Sequence, residues 1–302
     1  MEHFFGIDIG GSNVKIGLVD TEKGLMEKNK YPTIKLRENN DFVQNFSDVL
    51  KIEFEKYPEV NKVGMGIPGT SSKDGRSTIE IPNLSDLDDK PFIDKLESDH
   101  PGKEFLMDND ANVAALGEYY FGVEKLPENY VFITLGTGVG SAAIIDHHIW
   151  RGGDGNGMEM GHIMSRNGME LEHIIGKKGL MDMINKLLKK SKEDSLIGKK
   201  FNTWDTKLLV SAAEGGDKVV LKTFKKVGVL LGEALVTTIR LLDIKTILVG
   251  GGISQSYDFV VKPMVKTINK NLTPYYTKDL MIRKATLGNN AGIIGAASLC
   301  FK

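Results

Sequence analysis

The chain carries short runs of carboxylate, amide and imidazole side chains that are suited to acid–base and metal chemistry. Asp8 follows an apolar segment and precedes the small residues Gly10–Ser12. Asp108–Asp110 reads Asp-Asn-Asp after a second apolar segment, and Glu159 and His162 are three residues apart. A carboxylate accepts the proton of a hydroxyl or holds Mg²⁺, and residues three apart lie on one side of a helical turn. These groups suit phosphoryl transfer to a hydroxyl.

Two glycine-rich segments follow the same plan. GIDIGGSNVKIGLVD (residues 6–20) and FITLGTGVGSAAIID (residues 132–146) align without a gap at an offset of 126, which places Gly10 on Gly136. Each copy predicts a β-hairpin in which two apolar strands flank a turn of small residues. Uncovered N–H groups of such turns bind anions. The duplication therefore predicts two related domains, each contributing one turn to a phosphate site, and hence a phosphotransferase.

The two copies differ at positions that assign separate roles. Asp8 corresponds to Thr134, and Lys15 corresponds to Ser141. Only the first turn therefore has a carboxylate and a lysine beside it, and the second is expected to offer backbone and hydroxyl donors. Two alternatives stay open for Lys15, which either approaches the phosphates or keeps its ammonium in solvent.

Composition limits the class of protein. The chain has 302 residues, which is enough for two domains, and its net charge of −1 gives no electrostatic reason to expect nucleic acid or an anionic membrane as a partner. The only cysteine, Cys300, cannot form a disulfide within the chain. The first residues lack the pattern of a signal peptide, and the longest apolar stretch, Val227–Val236, is too short to span a bilayer. We expect a cytoplasmic protein.

Apolar patterning predicts alternating strands and helices, and so an α/β fold. The predicted strands, besides the hairpins, are Leu25–Ile34, Val63–Ile67, Glu104–Met107 and Thr246–Val249. The predicted helices include Asp41–Tyr57, Ala111–Phe121, Asp217–Leu242 and Asn289–Phe301. Gly122, Pro127 and Asn129 interrupt the pattern and predict a boundary between a small lobe, residues 1–121 with the C-terminal helix 289–302, and a large lobe, residues 122–288.

Eight motifs in order along the chain resemble the sugar-kinase branch of the ROK (repressor, open reading frame, kinase) family, within the actin-like ATPase superfamily. They are DIGGSNVK (8–15), GIPGT (66–70), IPNL (81–84), DNDAN (108–112), TLGTGVG (134–140), EMGH (159–162), GGGIS (250–254) and NNAGIIGAA (289–297). TLGTGVG and NNAGIIGAA also resemble polyphosphate glucokinases. The resemblance implies an actin-like (ribonuclease H-like) fold with two duplicated lobes and a cleft between them.

For the phosphoryl donor, the resemblance implies that Asp8 holds Mg²⁺, directly or through water, while the two turns face the phosphates. The implied donor-binding residues are Asp8, Gly10, Gly11, Ser12, Asn13, Lys15, Thr134, Gly136, Thr137, Gly138, Gly251 and Gly252. Plainer alternatives remain for each group. Asp8 caps its own turn, the second turn is an ordinary hairpin that needs positive φ, and the glycines after Val249 relieve crowding between a strand and a helix.

For the acceptor, the resemblance implies that Asp110 is the general base and that neighbouring side chains bind sugar hydroxyls. The implied sugar-binding residues are Gly69, Asn83, Asn109, Asp110, Glu159, His162 and Asp182. Asp110 is alternatively the N-cap of the following helix, and Asp108 is a spare carboxylate or purely structural. His162 is alternatively a core histidine, and Asn83 an ordinary loop asparagine.

The resemblance breaks at the structural zinc of the family. There a histidine is followed by cysteines in a CxCGxxGCxE pattern, whereas this chain reads HIIGKKGLMD over His173–Asp182. Two histidines with isoleucine and leucine cannot close a tetrahedral N/S site, so we expect no zinc. Asp182 replaces a sugar-contacting glutamate and is one methylene shorter. The segment is expected to be held by apolar packing of Ile174, Ile175, Leu180 and Met181.

The resemblance thus implies an ATP- and Mg²⁺-dependent hexose kinase that phosphorylates glucose at O6, acting as a homodimer. Inorganic polyphosphate as donor, and N-acetylglucosamine or N-acetylmannosamine as acceptor, remain alternatives. A sugar-responsive transcriptional regulator is a further alternative, but the first strand is expected to begin by His3, which leaves no room for a winged helix. A catalytically inactive sugar sensor is disfavoured because both Asp8 and Asp110 are present.

Overall fold

The computed structural model describes residues 2–123 and 125–301. The strands are β1 (His3–Ile9), β2 (Asn13–Asp20), β3 (Gly24–Pro32), β4 (Lys62–Ile67), β5 (Thr70–Ser71), β6 (Thr78–Glu80), β7 (Glu104–Asn109), β8 (Tyr130–Leu135), β9 (Val139–Ile145), β10 (His148–Ile149), β11 (Thr246–Gly250) and β12 (Met281–Lys284). The α-helices are α1 (Thr33–Leu36), α2 (Phe42–Lys56), α3 (Phe92–Asp99), α4 (Asp110–Phe121), α5 (Leu171–Ile175), α6 (Lys177–Lys190), α7 (Thr206–Glu214), α8 (Lys218–Leu242), α9 (Tyr257–Asn271), α10 (Pro274–Thr277) and α11 (Ala291–Ser298).

Two five-stranded sheets have the same order of strands. The first runs β3-β2-β1-β4-β7 and the second β10-β9-β8-β11-β12. Strands β1, β4 and β7 of the first sheet are parallel to one another, as are β8, β11 and β12 of the second. The second strands of the two hairpins begin at Asn13 and Val139, which keeps the offset of 126 seen in the sequence. The predicted mixed α/β fold with a repeated hairpin is therefore confirmed.

The chain divides into two compact units, each made of separate segments. One consists of Met1–Leu126, Ala142–Met158 and Thr286–Lys302, and the other of Pro127–Ser141 and Glu159–Ala285. We refer to them as unit 1 and unit 2. No helix among the described residues has the length and apolar character needed to cross a membrane.

The core of unit 1 depends on glycines that let α11 lie directly on the sheet. A Cβ at Gly6 would collide with the carbonyl oxygen of Ile293, and one at Gly64 with that of Ala296. On its other side α11 meets α4, where a Cβ at Gly295 would collide with the backbone of Val113. The opposite face of the sheet is covered by α2, whose buried apolar residues belong to the same core cluster as β1 and β4. Helix α4 is thus fixed at the edge where β7 ends.

Unit 2 is built around the long helix α8. Its N-cap Asp217 accepts hydrogen bonds from the N–H groups of Val219 and Val220, at 2.9 and 3.0 Å. Helix α9 lies close against α8 because glycines face it. A Cβ at Gly228 would collide with the backbone of α9, and one at Gly232 would lie 2.8 Å from the carbonyl oxygen of Met264.

Several boundaries differ from those expected. Strand β3 ends at Pro32, two residues early, because the N–H of Thr33 donates to the carbonyl of Ser12 and the chain then turns into α1. Strand β7 extends through Asn109, since its ladder with β4 continues to Ile67. The last α-helix is Ala291–Ser298, shorter than the expected 289–301, because Gly288–Asn290 forms a 3-10 turn.

Candidate active site

The first glycine turn, between β1 and β2, is closed by backbone contacts. The N–H of Gly10 donates to the carbonyl of Asn13 at 3.0 Å. Thr33 fixes the turn from outside, since its Oγ1 donates to the carbonyl of Gly10 at 2.6 Å. Among the described residues, none accepts a hydrogen bond from the N–H groups of Gly11 and Ser12. Two adjacent N–H groups of this kind can bind an anion.

Asp8, at the end of β1, is paired with a lysine of the adjacent strand. The Nζ of Lys15 lies 2.6 Å from Oδ2 of Asp8, so this lysine is not simply solvated. A Cβ at Gly292 would come within 2.8 Å of the Asp8 carboxyl carbon, so only glycine there leaves the space beside the carboxylate. One partly exposed carboxylate beside a turn with two available N–H groups fits Mg²⁺ bound together with phosphate oxygens and water.

The second glycine turn is built differently from the first. The N–H of Gly136 donates to the carbonyl of Gly138 at 3.0 Å, and Glu172 Oε2 accepts from the N–H of Val139 at 2.9 Å. Helix α6 begins beside it, because the N–H of Lys177 donates to the carbonyl of Thr137 at 3.0 Å. The positive end of the α6 dipole is thus directed at this turn, which favours anions.

The expectation that Gly136–Gly138 requires positive φ is wrong, because neither glycine has it. Gly138 is required for a different reason, since a Cβ there would collide with the carboxylate of Glu172. A Cβ at Gly136 meets no atom of the described residues within 4 Å. As far as these residues extend, the space above Gly136 is therefore open.

The glycines after β11 have separate roles in unit 2. Gly251 has φ of 79°, and a Cβ there would lie 2.6 Å from Oγ1 of Thr134. Gly251 therefore allows the turn after β11 to pass close to the end of β8. A Cβ at Gly252 has only the carbonyl oxygen of Leu135, at 3.8 Å, within 4 Å.

Asp110 and Asn109 lie where β7 passes into α4. Asn109, and not Asp110, is the N-cap, because its Oδ1 accepts from the N–H of Ala111 at 2.8 Å. Its Nδ2 donates to the carbonyl of Gly69 at 3.1 Å, which ties this edge to the turn after β4. Asp110 is the first residue of α4, so the alternative that it serves as the cap is wrong. Its position at the carboxyl end of a parallel strand is typical of ligand sites in α/β proteins.

In unit 1, Gly69 lies against Glu80 and Pro82, and Asn83 lies beside the first turn. Gly69 has φ of 82°, and a Cβ there would lie 2.5 Å from Cδ of Pro82. Asn83 has φ of 66°, a left-handed conformation that asparagine tolerates better than most residues. A Cβ built on Gly11 would lie 3.5 Å from Cβ of Asn83. In unit 1, the residues predicted to bind metal, phosphate and sugar thus lie at the end of the sheet where its parallel strands finish.

Asp108 is buried and fully engaged in structural contacts. It accepts from Nδ2 of Asn112 at 2.7 Å and from the N–H of Asn109 at 2.8 Å. Arg151 reaches it with two nitrogens, Nε at 2.8 Å and Nη2 at 2.6 Å. Of the two readings of Asp108, the structure favours the structural one. Nothing in the sequence pattern indicated its partner, since Arg151 lies 43 residues away.

In unit 2, Glu159 is the N-cap and His162 the last residue of the 3-10 turn Met160–His162, so the two do not share an α-helical face. Nδ1 of His162 lies 2.9 Å from Oε2 of Glu170, and this hydrogen bond holds the pKa of the imidazole above its ordinary value and that of Glu170 below its own. Burial raises the pKa of the half-buried Glu159. His162 is exposed, so the alternative of a core histidine is wrong. Nothing in the sequence pattern indicated Glu170 or Glu172 as neighbours of the site residues.

The segment that lacks the cysteines forms parts of α5 and α6. Ile175 and Leu180 are fully buried, whereas Ile174 and Met181 are partly buried, so apolar packing holds the segment. Asp182 lies exposed on α6 and forms no hydrogen bond or ion pair with another described residue. Within the described part of the chain, no three histidine, cysteine or carboxylate side chains are grouped as metal ligands.

Comparison with known proteins identifies the family. The sequence model of the ROK family matches residues 4–302. A glucokinase from Streptomyces coelicolor is 30% identical over 311 residues, which cover 97% of this chain and 96% of the relative.

Two solved structures are similar over nearly their whole length. A proposed sugar kinase from Cytophaga hutchinsonii is 35% identical with a TM-score of 0.92, covering 99% of this chain and 100% of that one. A ROK family glucokinase from Streptomyces griseus, solved with glucose and AMPPNP, is 29% identical with a TM-score of 0.79 and 98% of each chain covered. These relatives support the predicted enzyme class, a phosphotransferase. The chain belongs to the ROK family and has the actin-like ATPase fold.

Proposed function

We propose that this protein is a hexose kinase that transfers the γ-phosphoryl group of ATP to O6 of glucose, with Asp110 as the general base. The position of Asp110 carries the proposal. It opens α4 at the carboxyl end of β7, and the neighbouring Asn109 performs the capping, so the Asp110 carboxylate is not needed to cap the helix. Relatives named glucokinase align with nearly the whole of this chain, and they support glucose as the first acceptor to test.

In the proposed reaction, Asp110 accepts the proton of the sugar hydroxyl while the hydroxyl oxygen bonds to the γ-phosphorus. The bond between the γ-phosphorus and the β–γ bridging oxygen breaks, and ADP leaves with that oxygen. Asn109 holds the junction of β7 and α4 in place through its hydrogen bonds to Ala111 and Gly69. Glu159 and His162 of unit 2 are proposed to bind further hydroxyls, and Asp182 remains a candidate for the same role.

The donor is proposed to bind through the two glycine turns. Gly11 and Ser12 would donate N–H groups to phosphate oxygens, as would the Gly136–Gly138 turn at the start of α6. Asp8 would hold Mg²⁺, which neutralises charge on the transferred phosphoryl group when bound. Gly252, with open space above it, is proposed to lie near the nucleoside.

A direct assay distinguishes this proposal from its alternatives. The purified protein is incubated with Mg²⁺ and either ATP or inorganic polyphosphate, and with glucose, mannose, N-acetylglucosamine or N-acetylmannosamine in turn. Phosphorus NMR identifies the product. We expect glucose 6-phosphate with ATP as the fastest reaction. A higher kcat/KM with polyphosphate would identify polyphosphate as the donor, and a higher kcat/KM with an N-acetylated sugar would identify that sugar as the acceptor. Absence of product from every pair would overturn the proposal.

A further inference from the structure

The loop of residues 151–157, which belongs to unit 1, is attached to other segments of that unit at two places beside the proposed acceptor residues. Arg151 makes a two-nitrogen ion pair with Asp108, which directly precedes Asn109 and Asp110. Asn156 pairs with the backbone of Ser71 in both directions. Its Oδ1 accepts from the N–H of Ser71 at 3.0 Å, and its Nδ2 donates to the carbonyl of Ser71 at 3.0 Å.

These anchors are stronger than an ordinary surface contact. The Asp108 side chain is only 5% exposed, so its charge needs the guanidinium that reaches it. A planar guanidinium that donates two hydrogen bonds to one carboxylate also fixes geometry. By contrast, the ion pair between Lys73 and Asp154 of the same loop is largely exposed, at 74% and 90%, and is expected to contribute little.

The backbone of the loop is shaped by glycine and closed by an indole ring. Gly152 and Gly155 have φ of 69° and 101°, which other residues adopt only with strain. A Cβ at Gly157 would lie 3.0 Å from Cζ3 of Trp150, so the ring packs against the end of the loop. The backbone of Trp150 is joined to β9, because the backbone N–H of Trp150 donates to the carbonyl of Ala143 at 2.8 Å.

We propose that Arg151 and Asn156 are positioning residues that hold the 151–157 loop against the segments carrying Gly69, Asn109 and Asp110, so that the loop forms a wall of the acceptor site and sets affinity for the sugar. This inference rests on the proposed function, because it takes those three residues as the acceptor site. It assigns to the loop a role in binding the sugar and none in the chemical step.

The test compares Arg151→Ala, Arg151→Lys and Asn156→Ala with Lys73→Ala as the matched control, because Lys73 makes the exposed ion pair to Asp154 of the same loop. We expect Arg151→Ala and Asn156→Ala each to raise KM for glucose by about 10-fold or more, with kcat within about 3-fold of the parent. Arg151→Lys keeps the charge but cannot donate to Asp108 from two nitrogens, so its KM for glucose should lie between those of the parent and Arg151→Ala. Lys73→Ala should match the parent.

Trp150 gives a readout that does not require turnover. The chain has two tryptophans, so in a Trp204→Phe background the emission reports on Trp150 alone. Titration with glucose should give a dissociation constant that rises with KM in the Arg151 and Asn156 variants. If the parent binds glucose but phosphorylates no sugar, the proposed function fails while the loop is still tested.

The inference is overturned if Arg151→Ala and Asn156→Ala bind glucose as tightly as Lys73→Ala. It is also overturned if kcat falls in folded variants while KM and the dissociation constant stay unchanged. The side chain of Asn156 hydrogen-bonds the backbone of Ser71, so Asn156→Ala leaves no buried charge without its partner. This variant therefore tests the inference even if Arg151→Ala unfolds.

Discussion

The ammonium of Lys15 lies 2.6 Å from the Asp8 carboxylate, on adjacent antiparallel strands that place the two residues directly opposite each other. This lysine is therefore part of the environment of the proposed metal ligand. Lys30, which lies opposite Lys15 on β3, is exposed and forms no ion pair with another described residue, which makes it a suitable control.

Replacing Lys15 should weaken the use of the donor. We expect Lys15→Met to raise KM for ATP by about 10-fold or more, because a charge-assisted contact worth roughly 1.5–3 kcal/mol is lost beside the phosphate turn. KM for glucose should change little, and Lys30→Met should behave as the parent. Steady-state kinetics with varied ATP check this, and an unchanged KM for ATP in Lys15→Met would place the lysine outside the donor site.

The second turn allows donor binding to be separated from folding. A methyl group at Gly136 has no atom of the described part of the chain within 4 Å, so Gly136→Ala should keep the thermal midpoint but raise KM for ATP where phosphate approaches the turn. Gly138→Ala should instead lower the thermal midpoint, because its methyl group collides with Glu172. Melting curves and kinetics on both variants test the pair. If Gly136→Ala uses ATP as the parent does, the phosphate does not lie over this glycine.

The ion pair between His162 and Glu170 predicts a pH dependence. The hydrogen bond raises the pKa of His162 in the folded state, so its stabilising contribution is fully present below the unfolded value of about 6.5 and is lost as pH rises through the folded pKa. The pKa of Glu170 is lowered, so its contribution is present above its unfolded value and is lost as pH falls through the folded one.

Glu170→Gln removes the charged partner and should bring the pKa of His162 down toward its ordinary value. An NMR titration of the histidine resonances measures this directly. His100, whose pKa burial lowers, lies in unit 1 and serves as an internal reference that should not move. A His162 titration that is the same in both proteins would rule out the ion pair in solution.

The two aspartate N-caps of unit 2 should differ in their effect on stability. Asp217 is buried and also accepts from Oγ of Ser195 at 2.6 Å and from the N–H of Leu196 at 2.7 Å. Asp217→Ala should therefore lower the free energy of unfolding by about 2 kcal/mol or more. Asp205 caps α7 from an exposed position with one hydrogen bond, so Asp205→Ala should cost about 0.5–1 kcal/mol. Urea denaturation compares them, and equal losses would contradict the argument.

The sequence predicted the features that depend on local patterning. The offset between the hairpins, the strand before Asp108 and the helix capped by Asp41 follow from apolar periodicity and turn residues, and the structure contains each. It did not predict contacts that join distant residues through a side chain. Thr33 on the first turn, Glu172 on the second and Arg151 on Asp108 become neighbours only when the chain folds.

Site predictions had the same limit. Asn109 and Asp110 are equally good N-caps by residue type, and only the backbone at the end of β7 decides between them. Likewise, glycine at a turn suggests positive φ, whereas Gly138 is required because of a glutamate 34 positions later in the chain.

The most direct test of the account is the kinetics of Asp110→Asn. The substitution keeps the size of the side chain, and the cap of α4 is unaffected because Asn109 provides it. We expect kcat for glucose phosphorylation to fall by about 100- to 10,000-fold, since a positioned base is lost. The calorimetric dissociation constant for glucose should stay within about 3-fold of the parent. A folded Asp110→Asn protein that keeps kcat within a few-fold of the parent would contradict the central claim.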